Sequence, residues 1–327
     1  MTLASVPLDR HAKREGASVL LSHVVDSYRS ALGRWLPFLA AHLFIRLVVS
    51  SIMVPLIALG LSATLLFSDQ AALTDQDIAR FLFTPAGAIG AVALLSLLLV
   101  ALILDVVVAT AILRQKARGP FAALRVAAGF LIHSVRRLLP FMARFLLLLL
   151  ITVAPFLVAG GAIAYFFLTE YDINYYLTAR PPEFLTAVVL IGAVLVALVA
   201  ALLVRLSGWA IAMHLSLFDG LPASVAFSES RGFMEGKRLA LVGRLVGWLL
   251  VRSILLFAAG AIVAFLVARV SNGASGDLRA LAGAMIASAV LFGLMNALIR
   301  AVSNGALAEL LDNEFDRALA GRSPAVE

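Results

Sequence analysis

Cysteine is absent from the 327 residues, and charged residues make up only 14% of them. The first absence excludes a disulfide framework, a thiol nucleophile and a thiolate metal site, and it is silent about compartment. The second excludes an ordinary soluble globule, because 62% of the residues are hydrophobic. Histidine is sparse as well. His11, His23, His42, His133 and His214 form no helical metal pair, and none is a sequence neighbour of an Asp/Glu cluster. No Gly-rich phosphate loop and no nucleophile elbow occurs. The pattern therefore predicts no catalytic residue, no metal site and no cofactor. No short apolar stretch followed by a small-residue cleavage site precedes the first long run, so a cleaved signal peptide is not expected.

What the chain has instead is apolar length. Six runs can be drawn: Pro37–Phe67, Ala86–Leu113, Phe141–Leu168, Leu185–Leu217, Leu239–Val270 and Leu278–Leu311. Each exceeds the ~20 residues that cross a ~30 Å hydrocarbon layer. Backbone polar groups in lipid must be paired within their own segment, so the runs are expected to be helices. Their excess length implies tilt, kinks near Pro55 and Pro155, or projection from the bilayer. The fold class expected is all-α, a polytopic membrane bundle of six transmembrane helices.

The net charge of +7 is uneven. Arg10, Lys13, Arg14, Arg29 and Arg34 precede the first run. Arg114, Lys116, Arg118, Arg125, Arg136 and Arg137 lie between the second and third, and Arg231, Lys237 and Arg238 between the fourth and fifth. The alternate connections are poor in basic residues, with Arg80, Arg180 and Arg279. The positive-inside rule then places both termini in the cytoplasm. Basic patches so placed meet anionic headgroups of membrane lipids and do not mark a nucleic-acid partner.

Two outer connections share a motif. Thr74-Asp75-Gln76-Asp77-Ile78-Ala79-Arg80-Phe81-Leu82 and Thr169-Glu170-Tyr171-Asp172-Ile173-Asn174-Tyr175-Tyr176-Leu177 both fit Thr-x-x-Asp-Ile-x-x-aromatic-Leu. A Thr with an acid three residues on resembles a capping box, so each is expected to open a short surface helix. On the inner side, Arg34-Trp35-Leu36-Pro37-Phe38 matches Arg137-Leu138-Leu139-Pro140-Phe141, and Arg238-Leu239 follows at nearly equal spacing. Each is preceded by an amphipathic stretch of the kind that lies in the interface plane. The expected organisation is a basic tail over 1–17, a membrane domain over 18–312 made of three tandem hairpin repeats (about 18–115, 118–219 and 221–312), and a tail or linker over 313–327.

Ionisable residues inside a bilayer are costly and mark candidate sites. Counting ~1.5 Å per residue from the inner helix ends, Arg46 lies ~14 Å deep and Asp105 ~12 Å, depths that suit an intramembrane ion pair. By the same count Arg205, Arg252 and Arg300 reach ~16–20 Å, with His214 shallower. These three arginines are the candidate anion-binding group, since the guanidinium fork suits phosphate. The alternative is a structural helix clamp with snorkelling arginines. The acidic residues Glu309, Asp312, Glu314 and Asp316 are expected to form a solvated helix terminus.

The polar and aromatic island Asp172-Ile173-Asn174-Tyr175-Tyr176-Leu177 followed by Pro181-Pro182-Glu183-Phe184 carries a family resemblance. Together with Asp77-Ile78 and the stretch from Ser228 to Gly236 ahead of Lys237-Arg238, it resembles the membrane domain of bacterial membrane-bound glycerophosphodiester phosphodiesterases, from about Tyr28 to about Asp312. The resemblance implies a place in the bacterial cytoplasmic membrane and a phosphodiesterase barrel in cis or in trans. In this family the barrel opens on a His-Arg-Gly stretch and supplies Glu and Asp metal ligands, and this sequence has no such stretch. Two functions stay open. One is a membrane module of glycerophospholipid metabolism that anchors or feeds a phosphodiesterase. The other is an independent transporter or permease for a small anionic or lipid-derived substrate. The island itself is expected to form an outer cap; an interfacial aromatic belt would account for its tyrosines alone.

Overall fold

Apolar stretches that pair their own backbone groups yield helices throughout the computed structural model, which describes residues 17–67, 81, 84–171, 173–273 and 278–320. In chain order these are α1 (Ala17–Leu32), α2 (Trp35–Phe67), α3 (Pro85–Arg114), α4 (Pro120–Leu168), α5 (Ile173–Ala179), α6 (Pro182–Gly208), α7 (Ala212–Leu217), α8 (Ala223–Phe233), α9 (Arg238–Gly273) and α10 (Leu278–Ala320). Six stretches are long and apolar enough to cross a membrane: α2, α3, α4, α6 with α7, α9 and α10. The protein is a multi-pass membrane protein.

Local chemistry sets the boundaries. α3, α4 and α6 each open on proline, at Pro85, Pro120 and Pro182. Proline suits the first helical position because the N–H it lacks has no intrahelical acceptor there. Thr84 caps α3, accepting from the Gly87 N–H at 3.1 Å. α3 closes with Lys116 in the left-handed region at φ 51 and the Ala117 N–H bonded back to the Ile112 carbonyl. At the turn after α7, Gly220 has φ +78, a conformation that favours glycine, and the Arg137 guanidinium of α4 lies against it, 3.2 Å from where a Cβ would be.

Several boundaries differ from those read from the sequence. α4 is one helix of 49 residues with Pro140 and Pro155 inside it. At ~74 Å it is more than twice the hydrocarbon thickness, so the expected amphipathic stretch and the span from Phe141 are fused. Gly33 separates α1 from α2 and Gly236, at φ +77, separates α8 from α9; Arg137-Leu138-Leu139-Pro140 has no such residue to break the helix. The fourth run is not continuous, because α6 stops at Gly208 and the chain turns through Trp209–Ile211. Thr169 does not open a helix. It adopts helical angles at the end of α4 and its hydroxyl donates to the Tyr165 carbonyl at 2.7 Å. α10 runs unbroken past 312 to Ala320, with Glu314, Phe315 and Ala318 buried.

α2 packs on α3, α4 on α6 and α9 on α10, while α3 and α10 also pack on each other and on α2. α3 is buried around its whole girth from Asp105 to Ile112, and α10 from Ala301 to Ala306. Small residues at these positions (Ala101, Ala109, Ser303, Gly305) let the backbones approach, which matters where lipid supplies no hydrophobic drive between helices. The buried core lies toward one end of the bundle, where α1, α7 and α8 cover it. Along the other halves, large apolar side chains such as Leu59, Ile89, Phe166, Val196 and Phe257 are exposed, a surface suited to hydrocarbon.

Candidate functional site

α2 buries the stripe Phe38, Ala41, His42, Ile45 and Val49, at three- and four-residue spacing. That stripe carries His42 inward, with Arg46 one turn further along. Across from it, α3 presents Asp105, whose side chain is 2% exposed. Three donors converge on this carboxylate. Arg46 Nη2 donates to Oδ2 at 3.0 Å, Asn304 Nδ2 of α10 donates to the same oxygen at 3.2 Å, and His42 Nδ1 lies 3.1 Å from Oδ1. With a carboxylate as acceptor, the His42 proton belongs on Nδ1. A buried carboxylate so surrounded is satisfied through charge-assisted bonds, and three helices are tied together by it. A void with about the room of one water adjoins it, lined by Phe38, Ala41, His42, Asp105, Ala109, Ala301 and Asn304.

The network extends to α9 and α1. Arg252 Nη1 lies 3.5 Å from Asn304 Oδ1, and its guanidinium carbon sits 5.4 Å from the centre of the Trp248 ring, one turn away. Trp248 Nε1 donates to the Ser303 carbonyl at 2.7 Å. The Tyr28 hydroxyl of α1 lies 3.2 Å from both the Trp248 carbonyl and Ser303 Oγ. Burial raises the Tyr28 phenol above its ordinary pKa, against the lowering effect of the Ser303 bond. Arg300 Nε donates to Asn296 Oδ1 of its own helix at 2.8 Å. Arg46 and Arg300 are both close enough to act electrostatically on Arg252.

Arg46 and Arg252 thus meet Asp105 and Asn304, while Arg300, bonded to Asn296, lies close enough to act on Arg252. Arg205 does not join them. It is exposed in the last turn of α6, a helix that contributes nothing to the cluster, and the count that put it deep in the membrane assumed that α6 continues to Leu217.

The helix ends beside the buried core hold a second set of charges. Arg114 closes α3 with Nε 2.7 Å from Asp312 and Nη2 3.1 Å from Asp316, its guanidinium 5.0 Å from the Phe218 and Phe315 rings. His214, fully buried, stacks on Phe315 with its Nε2 3.4 Å from Asp312. Arg244 pairs with Glu314, and Arg317 reaches Glu314 at 2.8 Å. The acidic end of α10 is therefore a clamp on α3, α7 and α9 and not the solvated terminus expected. The fold also sets His42 and His214 beside carboxylates that are distant in sequence.

Asp77, Ile78 and Asp172 lie outside the described residues. Ile173, Asn174, Tyr175 and Tyr176 belong to α5, and Pro181, Pro182, Glu183 and Phe184 lead into α6. Tyr176 is buried, stacks on Phe184 at 5.8 Å, and its hydroxyl accepts from the Tyr171 N–H at 3.3 Å. Tyr171 and Tyr175 have ring centres 4.5 Å apart. Glu170, and after it Tyr175, raise the Tyr171 phenol above its ordinary pKa. Glu183 is exposed in the first turn of α6, where a carboxylate favours the helix dipole.

Residues 27–313 match the family described as the membrane domain of glycerophosphoryl diester phosphodiesterase. The chain belongs to this family. The match takes in α2 through α9 whole and most of α10, so the Asp105 cluster, the aromatic α5 knot of Tyr171, Tyr175, Tyr176 and Phe184, and Asp312 of the clamp all fall within the family's domain. Comparison with curated proteins and with solved structures gave no match. Among the described residues no group of His, Asp and Glu has the arrangement of a metal site.

Sequence reading missed Asn296, Asn304, Ser303, Trp248 and His42 as members of the cluster. A signal was available for all but Ser303. Each of the other four sits four residues from an arginine on its own helix, as in His42/Arg46, Trp248/Arg252 and Asn296/Arg300/Asn304. One-face spacing of polar groups inside an apolar run is as telling as charge.

Proposed function

We propose that the protein is the membrane-embedded module of a glycerophosphodiester phosphodiesterase system in the bacterial cytoplasmic membrane. It holds the catalytic barrel, in cis or in trans, at the membrane surface or presents lipid-derived phosphodiesters to it. The observation that carries this reading is the family match across residues 27–313. The hydrolytic step needs a metal-ligand set and a general acid/base, and those belong to the barrel. Purified protein supplied with Mg²⁺, Ca²⁺ or Mn²⁺ and glycerophosphodiesters is expected to give no turnover above a protein-free control. Turnover well above that control would place an active site in this chain and overturn the division of labour.

The basic residues of the inner connections orient both termini and the Arg114–Asp312 clamp toward the cytoplasm, with the α5 knot as an outer cap. The six spans read as three tandem hairpins (18–115, 118–219, 221–312), a reading supported by the pairwise packing of α2 on α3, α4 on α6 and α9 on α10. Single cysteines introduced at Thr178 and at Gly119 test the orientation. In spheroplasts, an impermeant maleimide is expected to label the first and spare the second. The reverse pattern would put the barrel's attachment on the wrong side of the membrane.

A second reading, an independent permease for an anionic substrate, draws on the same half-buried arginines. Uptake of a labelled glycerophosphodiester by proteoliposomes holding this chain alone would favour it over the anchoring role.

A further inference from the structure

One face of α10 carries a ladder of polar residues at four-residue spacing: Asn296, Arg300 and Asn304. Arg300 and Arg252 use this ladder for their hydrogen bonds, to Asn296 Oδ1 at 2.8 Å and Asn304 Oδ1 at 3.5 Å. Both acceptors are neutral amide oxygens. Neither arginine makes an ion pair among the described residues, and the nearby carboxylate of Asp105 is already shared by Arg46, Asn304 and His42. Arg46 and Arg252 thus lie near one carboxylate, and Arg300 acts on Arg252 in turn, a positive charge excess inside the span that hydrocarbon penalises and an anion would offset. A guanidinium also has five donors, and only one from each of these two arginines is engaged by a hydrogen bond.

The ladder is approachable from the outer side of the bundle. Ala282, Ala289 and Gly293 fall on the same helical face as Arg300, all three are exposed, and an added Cβ at Gly293 would meet nothing within 4 Å. They make an exposed face of small apolar residues that leads to Asn296 and Arg300.

We propose that Arg252 and Arg300, with Asn296 and Asn304 holding their forks, bind an ionised phosphate ester group at the end of this face. Two planar forks on neighbouring helices match the several oxygens of a phosphate better than a point charge would. The choice of a phosphate ester over other anions rests on the function proposed above; the need for an anion does not. The phosphate is carried either by a membrane lipid whose acyl chain lies along this face or by a free glycerophosphodiester.

The test uses the full chain in neutral detergent, with native mass spectrometry and thermal unfolding as readouts. The probes are dioleoyl phosphatidate for the lipid source and glycerophosphoglycerol for the free source. Wild type is expected to retain phosphatidate and to melt at higher temperature with it, because binding to the native state alone stabilises that state. An equal or larger response to glycerophosphoglycerol would assign the site to the free diester. The decisive variant is Asn296→Asp, nearly isosteric with the native side chain, which gives Arg300 a built-in counter-ion. It is expected to melt no lower than wild type without ligand and to bind the effective probe at least tenfold more weakly. Arg300→Gln should lose binding to a similar degree. The site is overturned if wild type responds to neither probe, or if both variants bind as wild type does. Phosphate binding by a chain that neither recruits nor feeds a phosphodiesterase would leave the site standing and remove the functional reading; a recruiting chain that binds neither probe would do the opposite.

Discussion

Replacing Asp105 by Asn is expected to lower the stability of the bundle by about 3 kcal/mol, the lower end of what it costs to strip one partner from a buried ion pair. The amide keeps the shape of the carboxylate but not its charge. Arg46, Arg252 and Arg300 would then share one region of the span with no carboxylate among them, and the substituted amide would keep one acceptor oxygen where the carboxylate had two. Thermal unfolding in detergent micelles reads this directly. The double variant Arg46→Leu with Asp105→Leu should recover part of the loss, because a charge and its counter-charge leave together. Recovery is expected to be incomplete, since His42 Nδ1 and Asn304 Nδ2 also rely on Asp105 and a buried donor without an acceptor costs ~1–3 kcal/mol. Adding Asn304→Leu to the double variant should bring back more. An Asp105→Asn protein that melts with wild type would mean that the carboxylate is not what joins α2, α3 and α10.

That cluster also marks where the sequence was readable and where it was not. Depth counting along two sequential apolar runs brings Arg46 and Asp105 to one level because each run is an unbroken helix between the counted end and the charge. The same count misplaces Arg205, because its run turns at Trp209–Ile211, directly after Ser207-Gly208, a break signal lost inside an otherwise apolar stretch. Asn304 is invisible to a search for charge, and it lies 199 residues from the Asp105 it serves. Which helix comes to lie beside α3 is decided by shape, and a hydropathy pattern does not encode shape when every face is apolar. The acidic end of α10 failed for a related reason. Asp312, Glu314 and Asp316 look like a solvated terminus until Arg114 and Arg244, from helices far away in sequence, are placed against them. The island from Ile173 to Phe184 was legible as a distinct element because its composition breaks so sharply from the runs on either side, whereas its helix start was misjudged by assigning Thr169 to the wrong helix.

Shape is most exacting at Gly305, and this position carries the other large expected effect. A Cβ built there would lie 2.5 Å from both Cδ2 and Cε2 of Phe38 and 3.1 Å from Cγ. Phe38 is 3% exposed, so its ring is closed in on every side but that of the one-water void it lines. Gly305→Ala would otherwise be a favourable change inside a helix, by ~1 kcal/mol. Here it is expected to destabilise, because overpacking a well-filled core costs ~1–3 kcal/mol. The ring would be driven toward the void it lines with His42, Asp105 and Asn304, so the strain reaches the polar cluster as well as the α2–α10 crossing. A double-mutant cycle separates this clash from a general loss of packing. Phe38→Leu alone should destabilise by removing buried ring contacts. Combined with Gly305→Ala it should cost less than the sum of the two, with a coupling of ~0.5–3 kcal/mol, the range found for residues in contact. Additive melting shifts would mean that Gly305 is not held by the Phe38 ring. A stabilised Gly305→Ala protein would mean that α2 and α10 lie further apart than this packing places them, and the three-helix grip on Asp105 would have to be redrawn with them.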